Sequence, residues 1–298
     1  MKYHIVTYGC QMNVHESEKI AGILEKLGYV PCDKREDADI IVFNTCAIRE
    51  GAEDRVLGNV GNLKRLKKQN KDLIIVVCGC MTQKEKTARV LMQKFPFVDI
   101  VIGTFNLPKL ADYIEAVKKG RQLVLMEEGE IDEFEPYKRT SGDNAWVNIM
   151  QGCNNFCTYC IVPYVRGREK SRKEENILNE IRGIIAENKY KKITLLGQNV
   201  NSYGKDLVPQ VSFSKLLEDI CALDGDFTLT FMTSHPKDLT SDVIDQIAKQ
   251  DKIEKSIHLP AQSGNNRILK LMNRSYTREK YLAIIDEIRQ KIPNCRIT

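Results

Sequence analysis

The stretch Trp146-Val-Asn-Ile-Met-Gln-Gly-Cys-Asn-Asn-Phe-Cys-Thr-Tyr-Cys-Ile-Val-Pro163 decides how this 298-residue chain is read. Trp146–Met150 has the composition of a buried strand. It runs into three cysteines spaced C-x-x-x-C-x-x-C, at Cys153, Cys157 and Cys160. Thiolates at such intervals are metal ligands. No histidine or fourth cysteine stands nearby, so a structural zinc site, which takes four protein ligands, is one short. An iron–sulfur cube held by three thiolates keeps one iron open to a small molecule, which suits catalysis better than support of a fold.

Downstream, βα units repeat. Lys192–Leu196, Thr228–Met232 and Ser256–Leu259 read as strands, and Arg296-Ile-Thr298 as the opening of a fifth. A barrel with so few strands leaves an open edge and reads as a fragment. In (β/α) barrels the C-terminal strand ends carry the active site. Gln198, Asn199, Ser234 and Gln262 stand there, placed to hold the amino-acid or ribose part of a cofactor; turn chemistry is the alternative for the Asn and Ser. Tyr159 is placed either to stack on a bound adenine or to pack over the cluster. His235 and His258 read as structural. Ser171-Arg-Lys-Glu174 reads as a capping box before a helix with Ile177, Leu178, Ile181, Ile184 and Ile185 on one face. The basic run Arg166-Gly-Arg-Glu-Lys-Ser-Arg-Lys173 suits a phosphate or carboxylate, or a solvated helix approach.

Upstream, Tyr3–Tyr8, Asp39–Phe43, Leu73–Val77 and Asp99–Ile102 read as strands. Helical segments alternate with them, Ser17–Lys26 and about 107–118 included, as in a parallel α/β layer. Cys10, Cys46 and Cys80 each stand just past a strand, 36 and 34 residues apart, close to one βαβ unit of ~30 residues. Strand ends of a parallel sheet share one rim, where such sheets bind ligands. The spacing therefore suggests a second three-thiolate site; three core cysteines are the alternative. Cys78 lies inside its strand and reads as core, as do Cys32, Cys221 and Cys295. Glycine precedes Cys10, Cys80 and Cys153, and reads as letting backbone approach a cluster without a Cβ clash. Six of the nine residues at 127–135 are acidic, the mark of a solvated linker. The expected division is a domain at 1–126, a linker at 127–143 and a second domain at 144–298.

With 42% hydrophobic and 29% charged residues, the chain has a globular composition. It has no stretch of ~20 apolar residues to span a membrane, and its first ten residues do not form a signal peptide. Ten cysteines in such a chain argue for metal binding over disulfides, and a cytoplasmic location follows. A net charge of +5 permits a nucleic-acid partner without requiring one. Lys64-Arg-Leu-Lys-Lys68 reads as a solvated helix face.

The cysteine motif resembles that of the radical S-adenosylmethionine superfamily. Across both halves, Thr7-Tyr-Gly-Cys-Gln-Met-Asn13, Asn44-Thr-Cys-Ala-Ile-Arg49, Cys78-Gly-Cys-Met81, Gly152–Pro163, Arg166-Gly-Arg-Glu169 and Leu259-Pro-Ala-Gln-Ser-Gly264 resemble the methylthiotransferases. Thr7–Asn13 and Gly197-Gln-Asn-Val-Asn-Ser-Tyr-Gly204 are similar to the MiaB type, which acts on tRNA. The resemblance implies a flavodoxin-like parallel-sheet domain followed by a truncated radical-SAM (β/α) partial barrel, without the family's C-terminal TRAM domain. It implies two [4Fe-4S] clusters, one on Cys10, Cys46 and Cys80 and one on Cys153, Cys157 and Cys160, with S-adenosylmethionine at the latter. The implied reaction adds a methylthio group to C2 of an N6-isopentenyladenosine next to the tRNA anticodon. A cofactor radical supplies the chemistry there, so no side chain is a catalytic group. The implied partners are the anticodon stem-loop, a flavodoxin- or ferredoxin-like reductant and a sulfur donor, with the chain itself a monomer. Threonylcarbamoyl-adenosine tRNA or a ribosomal protein are the alternative substrates. A two-cluster electron carrier and a zinc-stabilised RNA-binding module are the more remote readings.

Overall fold

A computed structural model of the chain describes residues 1–47, 52–120, 123–125, 138–140 and 142–298. The acidic stretch 127–135 and Arg49 lie outside the described residues. The chain divides into two compact units, residues 1–140 with 164–166 and residues 141–163 with 167–298.

The first unit follows the order β1 (Lys2–Thr7), α1 (Gln11–Lys26), β2 (Val30–Pro31), β3 (Ile40–Thr45), α2 (Ala52–Asn62), α3 (Lys64–Gln69), β4 (Ile74–Gly79), α4 (Glu85–Lys94), β5 (Ile100–Ile102), α5 (Leu110–Lys118) and β6 (Leu123–Leu125). Its sheet is parallel, in the order β2-β1-β3-β4-β5-β6. Side chains alternate across a strand, so Ile40, Val42, Ile74 and Val76 face Ile20, Leu24, Leu110 and Ile114 of α1 and α5. Ile41, Phe43, Ile75 and Val77 face Val56, Val60, Ala88 and Leu91 of α2 and α4 on the opposite side. Burial on both faces explains the unbroken apolar runs. The chain moves outward from β1 to β2 and then crosses to β3, which makes the β1–β3 gap the switch point of a flavodoxin-like order.

Helix α1 starts at Gln11, six residues before the expected Ser17. His15, Glu16 and Glu18 are buried in its first turns, and these polar residues mask the apolar period. The edge strands β2 and β6 also escape the sequence pattern, because two or three residues carry no readable alternation.

The second unit contains β7 (Asn144–Asn148), β8 (Met150–Gln151), the single turn α6 (Val162–Val165), which runs into the segment counted with the first unit, β9 (Lys170–Ser171), α7 (Glu174–Ala186), β10 (Lys192–Leu196), α8 (Phe213–Cys221), β11 (Thr228–Phe231), α9 (Ser241–Lys249), β12 (Ser256–Ile257), α10 (Asn266–Leu271), α11 (Arg278–Lys291) and β13 (Arg296–Ile297). Strands β7, β10 and β11 pair in parallel. A parallel bridge between Leu229 and Ile253 continues the series, and β12 pairs in parallel with β13. This is the partial barrel expected from the sequence.

The expected capping box is absent. Ser171 lies in β9, opposite Met150, and its hydroxyl donates to Asp206 Oδ1 at 2.6 Å. Lys173 is the N-cap of α7 and makes no side-chain cap bond. The short β8–β9 pair takes Ser171 away from the helix, and Asp206 takes up its hydroxyl. Among the described residues no helix is long and apolar enough to cross a membrane.

Candidate functional site

In the first unit, Cys10 is the N-cap of α1, Cys46 follows β3 and Cys80 follows β4. They occupy the rim flanking the switch point. The rim is laced by side chains. Asn44 Nδ2 donates to Asn13 O at 2.8 Å, and Asn13 Nδ2 returns a bond to Thr45 O at 2.9 Å. Thr45 Oγ1 donates to Cys78 O at 2.6 Å, and Cys80 N–H to Thr45 O at 3.0 Å. Cys78 is fully buried in β4, and burial pushes its thiol well above the ordinary range, as fits a core cysteine.

Arg166 belongs to this unit and is 2% exposed. Its Nη1 donates to Glu16 Oε1 at 2.5 Å, and its Nη2 lies 3.4 Å from Asn13 Oδ1. The same Asn13 oxygen accepts from Cys10 Sγ at 3.6 Å. Burial pushes the Cys80 thiol up to about 11, while the Arg166 charge pulls it down and the neighbouring Glu16, Cys46 and Cys10 oppose that pull. Cys10, Cys46 and Cys80 therefore share one electrostatic environment.

In the second unit, Cys153, Cys157 and Cys160 lie in the loop after β8. Each sulfur meets an N–H donor. The Asn155 side chain reaches Cys153 Sγ at 3.5 Å, and the Asn155 backbone N–H is directed at it too. Arg274 Nη1 lies 3.3 Å from Cys157 Sγ. The Val162 backbone N–H is directed at Cys160. Burial pushes the Cys153 and Cys160 thiols up, and these backbone N–H groups pull them back. None of the ten cysteines is in a disulfide. Among the described residues, no three His, Cys, Asp or Glu side chains close on a single metal ion.

The glycines at positions 9 and 152 allow a close approach that a side chain would block. Gly9 and Gly152 have φ of +115° and +81°. A Cβ on Gly9 would lie 2.5 Å from Cys46 Cβ, and one on Gly152 would lie 2.0 Å from Arg168 O.

The candidate cofactor-binding residues separate in the structure. Gln198 Oε1 accepts the Gly152 N–H at 2.6 Å, so this side chain braces the cysteine loop. Asn199 is buried and donates to Asp238 Oδ2 at 2.8 Å. Ser234 is buried as well. Tyr159 is 51% exposed. Gln262 is exposed, with φ +62°. Asn199 Oδ1, Ser234 Oγ, His235 Nε2 and Arg274 Nε are buried without hydrogen-bond partners among the described residues. Buried polar atoms are nearly always paired, and four orphans in the loops of one unit suit a polar ligand.

Sequence reasoning missed Arg166, Glu16, Asn13, Asn155 and Arg274. The basic run 166–173 was a partial signal, and its charges are met within the chain. Arg172 pairs with Glu180 at 2.7 Å, and Arg168 stacks over the Phe156 ring at 4.2 Å.

His235 gives a pH prediction. Its Nδ1 accepts the Lys237 N–H at 3.1 Å. Burial first, and then the Arg274 charge, push its pKa down from 6.5 to about 4. The folded state thus keeps the ring neutral while the unfolded state binds a proton. Stability from this group is fully present above pH 6.5 and falls as pH drops toward 4, by about 3 kcal/mol in all. Urea unfolding midpoints at pH 7 and pH 4 should converge for His235→Phe relative to the parent. An equal acid loss in both proteins would refute this assignment.

Residues 2–103 match the uncharacterized protein family UPF0004, and residues 147–298 match the radical SAM superfamily. The chain is 54% identical over 299 residues to the tRNA-2-methylthio-N(6)-dimethylallyladenosine synthase of Carboxydothermus hydrogenoformans, covering 99% of this chain and 68% of that protein. It is 55% identical over 300 residues to the synthase of the same name from Clostridium botulinum strain Okra, covering 100% of this chain and 66% of that protein. The chain spans about two thirds of the length of the curated relatives it matches. Among solved structures, the radical S-adenosylmethionine methyltransferase TsrM of Kitasatospora setae superposes with a TM-score of 0.69 at 13% identity, over 97% of this chain and 65% of that one. The cobalamin-dependent S-adenosylmethionine radical enzyme OxsB superposes with a TM-score of 0.65 at 14% identity, over 99% of this chain and 48% of that one. At such identity these two show a shared fold. The chain belongs to the radical SAM superfamily and, within it, to the methylthiotransferase family of its Carboxydothermus and Clostridium relatives.

Proposed function

We propose that this chain forms the cluster-bearing part of a tRNA methylthiotransferase, which adds a methylthio group to C2 of N6-isopentenyladenosine next to the anticodon. Residues 1–126 form the methylthiotransferase domain and residues 144–298 the radical SAM domain. The observation that carries the reading is the cysteine loop of the second unit, in which each of three sulfurs receives an N–H donor. Hydrogen bonds to the sulfurs are what an anionic iron–sulfur cluster calls for. Cys153, Cys157 and Cys160 would hold that cluster, and Cys10, Cys46 and Cys80 a second one. When bound, the first cluster supplies the electron for reductive cleavage of S-adenosylmethionine, a chemistry that belongs to the cofactor.

The side chains orient and enclose. Gln198 fixes the Gly152 N–H and with it the start of the cysteine loop. Asn199, Ser234 and His235 offer unpaired polar atoms to the amino-acid and ribose parts of S-adenosylmethionine. Arg166 neutralises charge beside Cys10 and Cys80. A flavodoxin- or ferredoxin-type reductant and a sulfur donor complete the reaction, which takes place in the cytoplasm.

After anaerobic reconstitution about eight irons per chain are expected. Replacing Cys153, Cys157 and Cys160 together with alanine should leave about four and abolish 5′-deoxyadenosine formation. Unchanged iron would overturn the ligand assignment. The substrate is tested by nucleoside analysis of tRNA from cells that lack and then regain the full-length protein. Methylthio-isopentenyladenosine should vanish and return. A change confined to threonylcarbamoyl-adenosine derivatives would point to the other tRNA substrate.

A further inference from the structure

The cysteine loop of the second unit is seated on residues 271–274, far downstream in the chain. Thr158 donates its N–H to Met272 O at 3.2 Å and its hydroxyl to Leu271 O at 3.2 Å. Asn273 Nδ2 donates to both Asn155 O and Phe156 O, at 3.3 and 2.9 Å. Phe156 and Asn273 both hold left-handed backbones, with φ of +46° and +54°. At Asn273 this is the left-handed residue that closes α10, with its own N–H bonded to Lys270 O; at Phe156, a bulky residue, it persists only where the surroundings impose it. The bonds from Thr158 and Asn273 therefore hold the cysteine loop, with its strained Phe156, on the end of α10.

The next residue supplies charge. Arg274 is 9% exposed and Cys157 8%, and Arg274 Nη1 lies 3.3 Å from Cys157 Sγ. The guanidinium meets the Cys157 sulfur and Tyr276, whose ring centroid lies 5.2 Å from Cζ, and its charge is also felt at Cys160, Tyr159 and His235. No carboxylate pairs with it among the described residues. A buried cation without a counter-charge is costly. An anionic sulfur at Cys157 supplies the missing charge. The donors at the other two sulfurs, from Asn155 and Val162, are neutral amides. Arg274 alone among these donors brings a full positive charge, and at this burial that charge is poorly screened.

We propose that Arg274 is a positioning residue for a cluster held by Cys153, Cys157 and Cys160: it donates to the Cys157 sulfur in the loaded protein and, as a fixed positive charge, raises the cluster's reduction potential. The inference rests on the reading of those cysteines as cluster ligands. Adding an electron makes the cluster more negative, so a nearby cation stabilises the reduced form more than the oxidised one. Outer-shell charge and hydrogen bonds to the sulfurs are known levers on such potentials.

The test is an EPR-monitored redox titration of the anaerobically reconstituted full chain, following the signal that responds to added S-adenosylmethionine. Parent, Arg274→Lys and Arg274→Gln are compared, with iron content measured in each. Arg274→Gln should shift the reduction equilibrium at least tenfold toward the oxidised form, 59 mV for one electron. Arg274→Lys, which keeps the charge, should stay close to the parent. A glutamine variant that loads normally and titrates with the parent overturns the proposal, as does an equal shift in both variants. If the glutamine variant loses its cluster, the lysine variant decides: retention at the parental potential supports the proposal, and equal loss overturns it. A parent chain that binds no iron at these cysteines is a different failure, visible before any variant is made, and it removes the ligand assignment itself.

Discussion

Replacing Glu16 with alanine is expected to lower the stability of the first unit by about 3–5 kcal/mol. Arg166 and Glu16 are 150 residues apart in sequence and 2.5 Å apart at their charged atoms. Among the described residues, removing the carboxylate leaves the guanidinium one hydrogen-bond partner, Asn13 Oδ1 at 3.4 Å, beside the Cys80 and Cys10 thiols. The cost comes from the stranded charge and exceeds what the pair itself contributes. The Glu85–Arg89 pair is equally short, at 2.5 Å, but its side chains are 64% and 69% exposed. Arg89→Ala should therefore cost less than about 1 kcal/mol. Amide hydrogen exchange in β3 and β4 measures both, and a 3 kcal/mol loss speeds exchange of their slowest amides by about 100-fold. Replacing the pair with Glu16→Leu and Arg166→Met should recover most of the loss, because well-packed apolar residues tolerate such sites. If the double variant is as unstable as the single one, shape and not charge governs the site.

Gly152→Ala is expected to remove the cluster of the second unit and spare that of the first, lowering iron from about eight to about four per chain. The new Cβ would meet Arg168 O at 2.0 Å and Gly167 O at 2.6 Å. Both are backbone atoms with no rotamer to yield. The φ of +81° adds strain of about 1–3 kcal/mol for an alanine. Relief requires the loop to move, which breaks the Gly152 N–H bond to Gln198 and displaces Cys153, the next residue in the chain. Gly183→Ala is the control. It lies within α7 with nothing within 4 Å of its Cβ position, and should raise stability by about 0.5–1 kcal/mol. Iron and acid-labile sulfide assays with EPR separate the two outcomes. Full iron loading in Gly152→Ala would show that the loop can shift without losing its ligand geometry.

The sequence disclosed what is written locally. Runs such as Ile40–Thr45 and Ile74–Gly79 are apolar on both faces, so strands, and with them the positions of Cys46 and Cys80 just past their ends, could be read from pattern alone. Cys78 and Cys80 were separable for the same reason. Partners distant in the chain were not legible. Nothing near Arg274 points to a cysteine 117 residues upstream, and nothing near Ser171 reveals that Asp206 will take its hydroxyl. Buried polar residues act in the other direction: His15, Glu16 and Glu18 interrupt the apolar period, so the pattern starts the helix at Ser17 and not at Gln11. The atoms that crowd Gly9 and Gly152 come from distant parts of the chain and depend on tertiary contacts.

The exchange of hydrogen bonds between Asn13 and the Asn44–Thr45 pair bears on how the protein matures. These bonds, with the apolar layers on either side of the sheet, hold the rim of the first unit through groups other than the thiols. Small zinc domains differ, because their binding energy is their folding energy and the metal-free chain is unfolded. Here the rim is held by hydrogen bonds and apolar packing, so the metal-free first unit is expected to fold. Folding of this unit and binding of a cluster are then separate events, and removal of iron should leave the unit folded.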